Sequence, residues 1–374
     1  MKIAILGTRG IPNHYGGFEQ FAEYLAAGLV TRGHEVTVYN SHTHSYREAE
    51  WNGVRIRHVY DPEHRVGTAG QFVYDFLAIL DSRKRGYDVI LELGYTSSSV
   101  FFGLHPSDAL VVTNMDGLEW KRTKYSAKVQ KFLRWAESLA VKRSDILVAD
   151  SLGIRDYLLE EYGAASHYIP YGAHLFEIPD PRALEAFDVN PEAYDMLIAR
   201  LEPENSIEPI LDGAVRSGCR RPFLVIGKHE TGYGEYLKAR YAAHPEIRFV
   251  GAVYDIGVLN NLRWFSHLYF HGHTVGGTNP SLLEAMASGA LICANDNPFN
   301  AAILGEDALY FKTADDVAAV LERIGKTECR EYVANNRIKI TELYEWDRII
   351  DAYEALFFRG LEARGAKTPT GNAL

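Results

Sequence analysis

Short apolar runs alternate along the chain with longer segments in which apolar residues recur every three or four positions. The short runs predict strands and the longer segments predict helices. In the first half, the predicted strands lie at 2–6, 35–40, 54–59, 88–93, 109–114 and 146–150, and the predicted helices at 17–32, 70–85 and 125–143. In the second half, further strands are predicted from 194 and at 222–227, 247–251, 267–272 and 290–295. This alternation indicates parallel sheets flanked by helices.

Two series of this kind, separated by the proline-rich stretch 167–193, indicate two domains. A chain of 374 residues is also too long for one ordinary core. We therefore predict an α/β fold with two doubly wound, Rossmann-like domains, 1–172 and 173–345. Ligands of such sheets bind beyond the carboxyl ends of the strands, so two facing sheets would form a cleft between the domains.

Composition and charge exclude several classes of protein. A net charge of -10 argues against nucleic acid as the partner. The three cysteines are scattered and odd in number, which predicts reduced thiols rather than disulfides or a zinc site. The N-terminal apolar run is too short for a signal peptide and no run is long enough to span a bilayer, so we expect a cytoplasmic protein.

A glycine-rich loop, "LGTRGIPNHYGGFEQF" at 6–21, joins the first predicted strand to the first helix. Its glycine spacing fits neither the dinucleotide fingerprint nor the P-loop. Gly16 and Gly17 have no side chain, which would let a ligand approach the backbone closely. Glu19 follows in the first helical turn, where its carboxylate could also contact an acceptor.

Five segments carry a resemblance to a known family: "GGFEQFAEYLAAGLVTRGHEVTVY", "IARLEPENSIEPILDGA", "FVGAVYD", "NPSLLEAMASGALICA" and "YEWDRIIDAYEALF". In this order they resemble the motifs of retaining family-4 glycosyltransferases of the GT-B fold. The resemblance implies a C-terminal helix at 346–364 that crosses back to the first domain, followed by a flexible tail at 365–374. Two further stretches, "GTRGIPNHYGGFE" and "NMDGLEWKR", resemble a subgroup of bacterial polysaccharide assembly that includes rhamnosyltransferases.

The segment 275–290, "VGGTNPSLLEAMASGA", is predicted to bind the donor. Small residues precede a helix that starts near Pro280, and its N-terminal N–H groups would receive a diphosphate. The resemblance places Glu284 at the ribose hydroxyls and puts Gly276 where the family has another glutamate. The backbone would then contact the sugar instead. The predicted donor-binding residues here are Gly276, Gly277, Thr278, Asn279, Ser281 and Glu284. The alternative is an ordinary capped helix with a surface glutamate.

Arg200, at the end of a predicted strand, could bind the diphosphate and stabilise the leaving group. Its alternative role is a surface salt bridge to a nearby glutamate. The family usually has a lysine five positions later, where this chain has Asn205; Lys228 could compensate. Tyr254 lies in the segment that resembles the base-binding turn. The resemblance also implies that the donor approaches Gly16 and Gly17 from the N-terminal side.

The resemblance places Asp116 where the family commonly has a histidine near the acceptor, whereas a shift of one residue would place Met115 there instead. The carboxylate of Asp116 could orient the acceptor hydroxyl or stabilise positive charge on the anomeric carbon, unless Asp116 is only a turn residue. Glu119 is the second acid of this loop. We predict Asp116 and Arg200 as the catalytic residues. No Asp-x-Asp sequence or metal-ligand spacing occurs, so we expect a reaction without a metal ion.

Residues 121–143 carry eight basic residues and one acid, Glu137. Lys124, Lys128 and Lys131 recur at helical spacing opposite apolar positions. This pattern is typical of a helix that lies on anionic lipid headgroups, which would place the protein at the inner face of the membrane. It equally suits a solvated helix face packed on its own domain.

The predicted function is transfer of a sugar, with L-rhamnose as a candidate, from a nucleoside diphosphate donor to a hydroxyl of a saccharide acceptor. The resemblance implies retention and a lipid-linked acceptor in bacterial cell-surface polysaccharide synthesis. No cofactor is expected besides the nucleotide sugar as co-substrate. Two alternatives stay open: a nucleotide-sugar epimerase of GT-B fold, and a non-catalytic sugar-nucleotide-binding protein.

Overall fold

The computed structural model describes residues 1–14, 16–115, 117–122, 125–274 and 277–367. The chain divides into two compact units. Unit 1 contains Met1–Tyr171 and the segment from Trp346 onward, and unit 2 contains Gly172–Glu345.

Unit 1 is built on an eight-stranded sheet. Its strands are β1 (Lys2–Leu6), β2 (Glu35–Ser41), β3 (Glu50–Trp51), β4 (Val54–Val59), β5 (Val89–Leu93), β6 (Leu110–Asn114), β7 (Ile146–Ala149) and β8 (His167–Tyr168). The order is β3-β4-β2-β1-β5-β6-β7-β8, and the pairs are parallel except β3 with β4. The direction of strand addition reverses at β1, between β2 and β5. A ligand crevice is expected where the loops leave β1 and β5 at this reversal.

Helices connect these strands. They are α1 (Gly17–Thr31), α2 (Glu63–Val66), α3 (Gly70–Ser82), α4 (Ala127–Arg143) and α5 (Leu152–Tyr162), with short 3₁₀ turns at Gly67–Ala69, Ser99–Leu104 and Glu119–Lys121. Five α1 side chains that recur at helical spacing are almost fully buried, namely Phe21, Ala22, Leu25, Ala26 and Leu29. This apolar stripe fixes the helix on the sheet.

Unit 2 is built on a six-stranded parallel sheet. Its strands are β9 (Asp195–Ile198), β10 (Phe223–Ile226), β11 (Ile247–Gly251), β12 (Leu268–His271), β13 (Ile292–Asn295) and β14 (Leu309–Phe311), in the order β11-β10-β9-β12-β13-β14. The reversal falls at β9, between β10 and β12. The loops that leave β9 and β12 therefore flank the expected crevice.

The helices of unit 2 are α6 (Ile207–Arg216), α7 (Gly232–Arg240), α8 (Ile256–Phe265), α9 (Pro280–Ala287), α10 (Pro298–Leu304), α11 (Ala314–Arg323) and α12 (Arg330–Lys339). Shorter turns lie at Pro181–Phe187, Pro203–Asn205 and Ile340–Tyr344.

The last described helix, α13 (Trp346–Lys367), packs on α1 within unit 1. A side chain at Gly28 of α1 would overlap Ile350, so glycine permits this close packing. Tyr353 is fully buried, and its hydroxyl accepts a hydrogen bond from Asn114 Nδ2 at 3.1 Å. The end of the chain is thereby joined to the core of unit 1.

The predicted α/β fold with two parallel-sheet domains is confirmed. Every predicted strand is present within two residues of its predicted bounds, apart from the loosely placed end of the strand near 194. The sequence analysis missed β3, β8 and β14, because strands of two or three residues are too short to show a periodic pattern.

Candidate functional site

Two loops meet at the strand reversal of unit 2. One follows β9, and the other, which we call the donor loop, is Gly272–Asn279 after β12. Thr274 Oγ1 donates a hydrogen bond to the carbonyl oxygen of Glu204 at 2.8 Å. A side chain at Gly272 would overlap the carbonyl oxygen of Asn205, so only glycine allows this approach. The two loops therefore form one connected edge. Gly276 lies outside the described residues.

Glu284 is held by an arginine that the sequence analysis missed. Arg263 of α8 donates from Nη2 to Glu284 Oε2 at 2.5 Å, and its side chain is 1% exposed. The Glu284 side chain keeps 15% of its surface exposed. A buried guanidinium thus fixes the carboxylate, and removing one partner of such a buried pair typically costs about 3–5 kcal/mol. The two residues lie in different helices, so no local pattern pairs them.

The N-terminus of α9 is already capped. Asn279 Oδ1 accepts the N–H of Ser281 at 2.9 Å. The Ser281 hydroxyl lies 2.9 Å from the hydroxyl of Tyr269 and 3.2 Å from Arg263 Nη2. The side chains of Asn279 and Ser281 therefore shape the helix end. An anion here would meet the backbone before Asn279, in the part of the loop that contains Gly277 and the buried Thr278.

Arg200 follows β9 and its side chain is 60% exposed. Its closest acid is Glu202, with Arg200 Nη1 and Glu202 Oε1 4.0 Å apart. Exposed pairs contribute only about 0–1 kcal/mol, so this contact would not hold the guanidinium away from an anion. Asn205 is buried, and its Nδ2 donates to the carbonyl oxygen of Arg200 at 2.8 Å. Its amide thus fixes the loop that carries Arg200.

Lys228 and Tyr254 follow β10 and β11 at the same carboxyl edge of the sheet. Both side chains are exposed, and Tyr254 is 71% exposed. The exposed ring of Tyr254 provides a stacking surface at this edge, and the exposed ammonium group of Lys228 provides a positive charge.

Two stacked histidines lie at the start of the donor loop. The rings of His271 and His273 are 4.5 Å apart between centroids and inclined by 17°. Burial, followed by the charges of His273 and Arg263, holds the pKa of His271 well below its ordinary value. His271 is therefore neutral at physiological pH. Its two ring nitrogens contact no hydrogen-bond partner in the described part of the chain.

In unit 1, the loop after β1 is tied to α1 by Glu19. This carboxylate is buried and accepts the N–H of Arg9 at 2.8 Å and the hydroxyl of Thr8 at 3.2 Å. Gly16 has φ −166°, which any residue adopts, and Gly17 begins α1. A left-handed backbone conformation therefore does not explain why position 16 is a glycine. The prediction that a ligand approaches the backbone closely here is unchanged.

A buried acid beneath this edge was not found from sequence. Asp75 of α3 is almost fully buried, and its Oδ2 accepts the hydroxyl of Ser97 at 2.5 Å. Burial raises the pKa of Asp75 to about 8; Ser97 opposes this shift, whereas the charges of Glu92 and Asp61 add to it. Asp75 is therefore mostly protonated at neutral pH.

The predicted acceptor loop is described only in part. Asp116 lies outside the described residues. Glu119 accepts from Arg122 Nε at 2.7 Å within its own short turn, so this carboxylate is already engaged.

Helix α4 turns its only acid inward. Glu137 is 1% exposed and accepts the hydroxyls of Tyr95, Tyr157 and Tyr162 at 2.9, 2.7 and 2.7 Å. The charges on the exposed surface of this helix are consequently all basic. Lys124 lies outside the described residues.

The exposed side of α4 also carries large apolar groups. Lys128, Lys131 and Trp135 share one side of the helix by their spacing, and Trp135 is 51% exposed. Val129 of the same helix is also 40% exposed.

Two properties of the described residues bear on metal ions and membranes. Within these residues, no group of three or more histidine, cysteine or acidic side chains is arranged to hold a metal ion. None of the described helices has the length and apolar character that crossing a membrane requires.

Comparison with known proteins gives a fold. Residues 1–174 match a family model described as a domain of unknown function, DUF1972. A comparison with curated proteins found no match. Solved structures similar to this chain include sucrose-phosphate synthase from Thermosynechococcus elongatus (16% identity, TM-score 0.79, 97% of this chain and 99% of that one).

Two others are HepE of Anabaena in complex with UDP-glucose (14% identity, TM-score 0.72, 97% and 99%) and α,α-trehalose 6-phosphate synthase from Burkholderia multivorans (13% identity, TM-score 0.71, 100% and 99%). At such low identity these likenesses concern architecture alone. The chain has the fold of GT-B glycosyltransferases.

Proposed function

We propose that the protein is a glycosyltransferase that moves a hexosyl group from a nucleoside diphosphate donor to a hydroxyl group. The observation that carries this proposal is the pair Glu284–Arg263 beside the donor loop of unit 2. A carboxylate fixed by a buried cation can accept hydrogen bonds from both ribose hydroxyls without moving. HepE, which shares the fold, binds UDP-glucose, UDP and glucose in its solved structures.

In this proposal the diphosphate lies against the donor loop and Arg200. Negative charge grows on the diphosphate as the bond from its oxygen to the anomeric carbon breaks, and that oxygen keeps the electron pair. Arg200 would stabilise this charge, and Lys228 would add a second cation. Tyr254 would stack on the base, and Asn205 would hold the backbone of Arg200 in place. The proposed reaction needs no metal ion, because these cations neutralise the diphosphate.

The finer assignments rest on the sequence resemblance. They are family-4 chemistry with retention, L-rhamnose as the transferred sugar, and a lipid-linked saccharide acceptor in bacterial polysaccharide synthesis. We propose a front-side displacement in which the acceptor hydroxyl oxygen forms the new glycosidic bond and passes its proton to the departing diphosphate oxygen, which has kept the electron pair of the broken bond. Asp116 stays the proposed acceptor-side carboxylate, with Glu119 as the weaker candidate.

We also propose that α4 contacts anionic lipid. The observation that favours this is the inward Glu137, which leaves Lys128, Lys131 and the exposed Trp135 on a purely basic surface. An indole at the membrane interface between lysines is typical of helices that lie on lipid.

Calorimetry and thermal shift with a panel of nucleoside diphosphates would test the donor site. We expect at least one of them to raise the melting temperature. Glu284→Ala should weaken its binding at least about tenfold, because the ribose hydroxyls lose their acceptor. Glu322→Ala, an exposed glutamate of α11, is the matched control. Because Glu284→Ala leaves Arg263 buried without its partner, the double variant with Arg263→Met separates lost binding from lost folding.

Product analysis separates the alternatives. An epimerase would convert the donor alone into a second nucleotide sugar, and a non-catalytic binding protein would leave the donor intact. Slow hydrolysis of the donor without acceptor supports the transferase. If no nucleotide binds, the proposed function is wrong.

Vesicle sedimentation tests the lipid contact. We expect binding to phosphatidylglycerol vesicles that weakens as salt rises, and none to neutral phosphatidylcholine. Lys128→Glu with Lys131→Glu should abolish it, whereas Arg220→Glu with Arg323→Glu, an equal charge change on exposed residues of unit 2, should not. If both double variants lost vesicle binding equally, binding would depend only on the net charge of the protein, and the proposed contact through α4 would be wrong.

A further inference from the structure

The donor loop is held from the side by the loop that follows β13. Asn297 Nδ2 donates to the carbonyl oxygen of His273 at 2.9 Å, and Asn300 Nδ2 donates to the same oxygen at 3.1 Å. A carbonyl oxygen has two lone pairs, so two side-chain amides satisfy it. The first turn of the donor loop is therefore fixed by groups from a different part of the chain.

The same amides are anchored at their other side. Asn300 Nδ2 also donates to the carbonyl oxygen of Asn295 at 2.8 Å, and Asn297 Nδ2 lies 3.1 Å from Asn295 Oδ1. Asn295 Nδ2 in turn donates to the hydroxyl of Ser206 at 3.4 Å. Three loops, after β9, β12 and β13, are thus joined through one cluster of asparagines. We call Asn295, Asn297 and Asn300 the asparagine brace.

The brace residues are buried or half-buried and have defined roles. Asn300 is 4% exposed, so its amide is bonded within the protein and not to bulk water. The two polar atoms of the Asn297 side chain have different partners. Its Oδ1 accepts the N–H of Phe299 at 3.0 Å and of Asn300 at 3.1 Å, which caps α10, while its Nδ2 reaches the donor loop. A substitution can therefore remove the second role and keep the first.

We propose that Asn297 and Asn300 are positioning residues that hold the donor loop in the conformation that binds a nucleoside diphosphate. They act through the carbonyl of His273 and do not touch the donor. This inference rests on the proposed function of the loop. Its physical reason is preorganisation: because the start of the loop at His273 is already fixed, ordering it costs less free energy when the diphosphate binds.

Asn297→Asp and Asn300→Asp test the inference with little change in shape. Aspartate at 297 still caps α10, because an ionised carboxylate accepts hydrogen bonds, but it cannot donate to His273. We expect amide hydrogen exchange in peptides spanning 272–279 to become faster, with exchange in β9 to β11 unchanged. The Kd for the nucleoside diphosphate that binds best to the wild type should rise about tenfold, which corresponds to about 1.4 kcal/mol, the upper end of the net contribution of one hydrogen bond.

Asn335→Asp is the matched control, because it also removes an amide donor in unit 2. Asn335 Nδ2 donates to Asp307 Oδ1 at 2.7 Å, on α12 and away from the donor loop. It should leave both exchange at 272–279 and nucleotide affinity unchanged. Where an aspartate variant melts too early, Asn300→Ser keeps a donor of smaller reach and should give an intermediate effect.

The outcomes separate the two proposals. Unchanged exchange at 272–279 in both variants would overturn the inference whether or not any nucleotide binds. Faster exchange with unchanged affinity would also overturn it, because the brace would then hold the loop without serving the donor. Failure of the wild type to bind any nucleoside diphosphate would instead overturn the proposed function.

Discussion

The two sheets of this protein share a topology but carry opposite chemistry at their carboxyl edges. Among the described residues, the carboxyl groups under the edge of unit 1 that are less than 10% exposed include those of Glu19, Asp61, Asp75 and Glu92. The edge of unit 2 has the exposed cations Arg200 and Lys228 and the amides of the asparagine brace, and the carboxylate of Glu284 there is paired with Arg263.

The difference shows that the reversal of strand order fixes where a ligand can bind but not which ligand. Exposed cations and N–H groups attract a diphosphate. This charge pattern supports the proposed donor site on unit 2.

The largest effect should come from the buried acid of unit 1. Because burial raises the pKa of Asp75 from its ordinary 3.8 to about 8, the folded protein keeps a proton that the unfolded chain has lost between these values. Stability should therefore fall as pH rises from about 4 to 8, by at most about 1.4 kcal/mol per pH unit from this group. Asp75→Asn should remove this slope and extend stability into alkaline solution.

Urea unfolding between pH 5 and 9 measures how the free energy of unfolding depends on pH in the wild type and in Asp75→Asn. The Asn side chain can still accept the hydroxyl of Ser97, so it mimics the protonated acid. A variant with the same slope as the wild type would show that Asp75 is ionised in the folded state.

Arg200→Ala addresses the cationic edge. It should lower kcat about 100-fold, the typical cost of losing one group that stabilises transition-state charge, and raise the donor KM much less. Arg182→Ala, which removes an exposed arginine paired with Asp180, is the control. If only KM changes, Arg200 binds the donor in the ground state alone.

Substitutions at two glycines of the loop after β1 should lower the stability of the protein by different amounts. Gly7 has φ +83°, and a side chain there would overlap the backbone of Leu93, so Gly7→Ala should lower the free energy of unfolding by about 2 kcal/mol or more. Gly16→Ala should cost less than about 1 kcal/mol, because its extended backbone suits any residue.

Gly17→Val should leave the fold intact but stop turnover, because a branched side chain would occupy the space that a ligand needs. Melting temperature and donor hydrolysis on one sample test this pair of effects. Early melting with activity retained in the cold would make the role of Gly17 structural.

The smallest effect is expected from a chelator. Turnover after dialysis against EDTA should equal that of the untreated protein, because Arg200 and Lys228 carry the positive charge at the proposed diphosphate site. Lost activity that Mg²⁺ restores would contradict the proposed metal-independent reaction.

The sequence by itself determined the fold class and the order of its main elements. Strands such as Lys2–Leu6 and Ile247–Gly251 were found at their predicted positions, because local periodicity of apolar residues decides whether a segment can cover a sheet. It also pointed to the loops after β9 and β12, since the carboxyl ends of parallel strands are where such sheets bind ligands.

Only the tertiary structure decided which side chains meet. Glu284 and Arg263 lie on separate helices, and the brace joins His273 to Asn297 and Asn300 across two strands. The protonation of Asp75 depends in the same way on groups distant in sequence. A hydrogen bond or a pKa is set by distance and burial in three dimensions, and the spacing of residues along the chain contains neither.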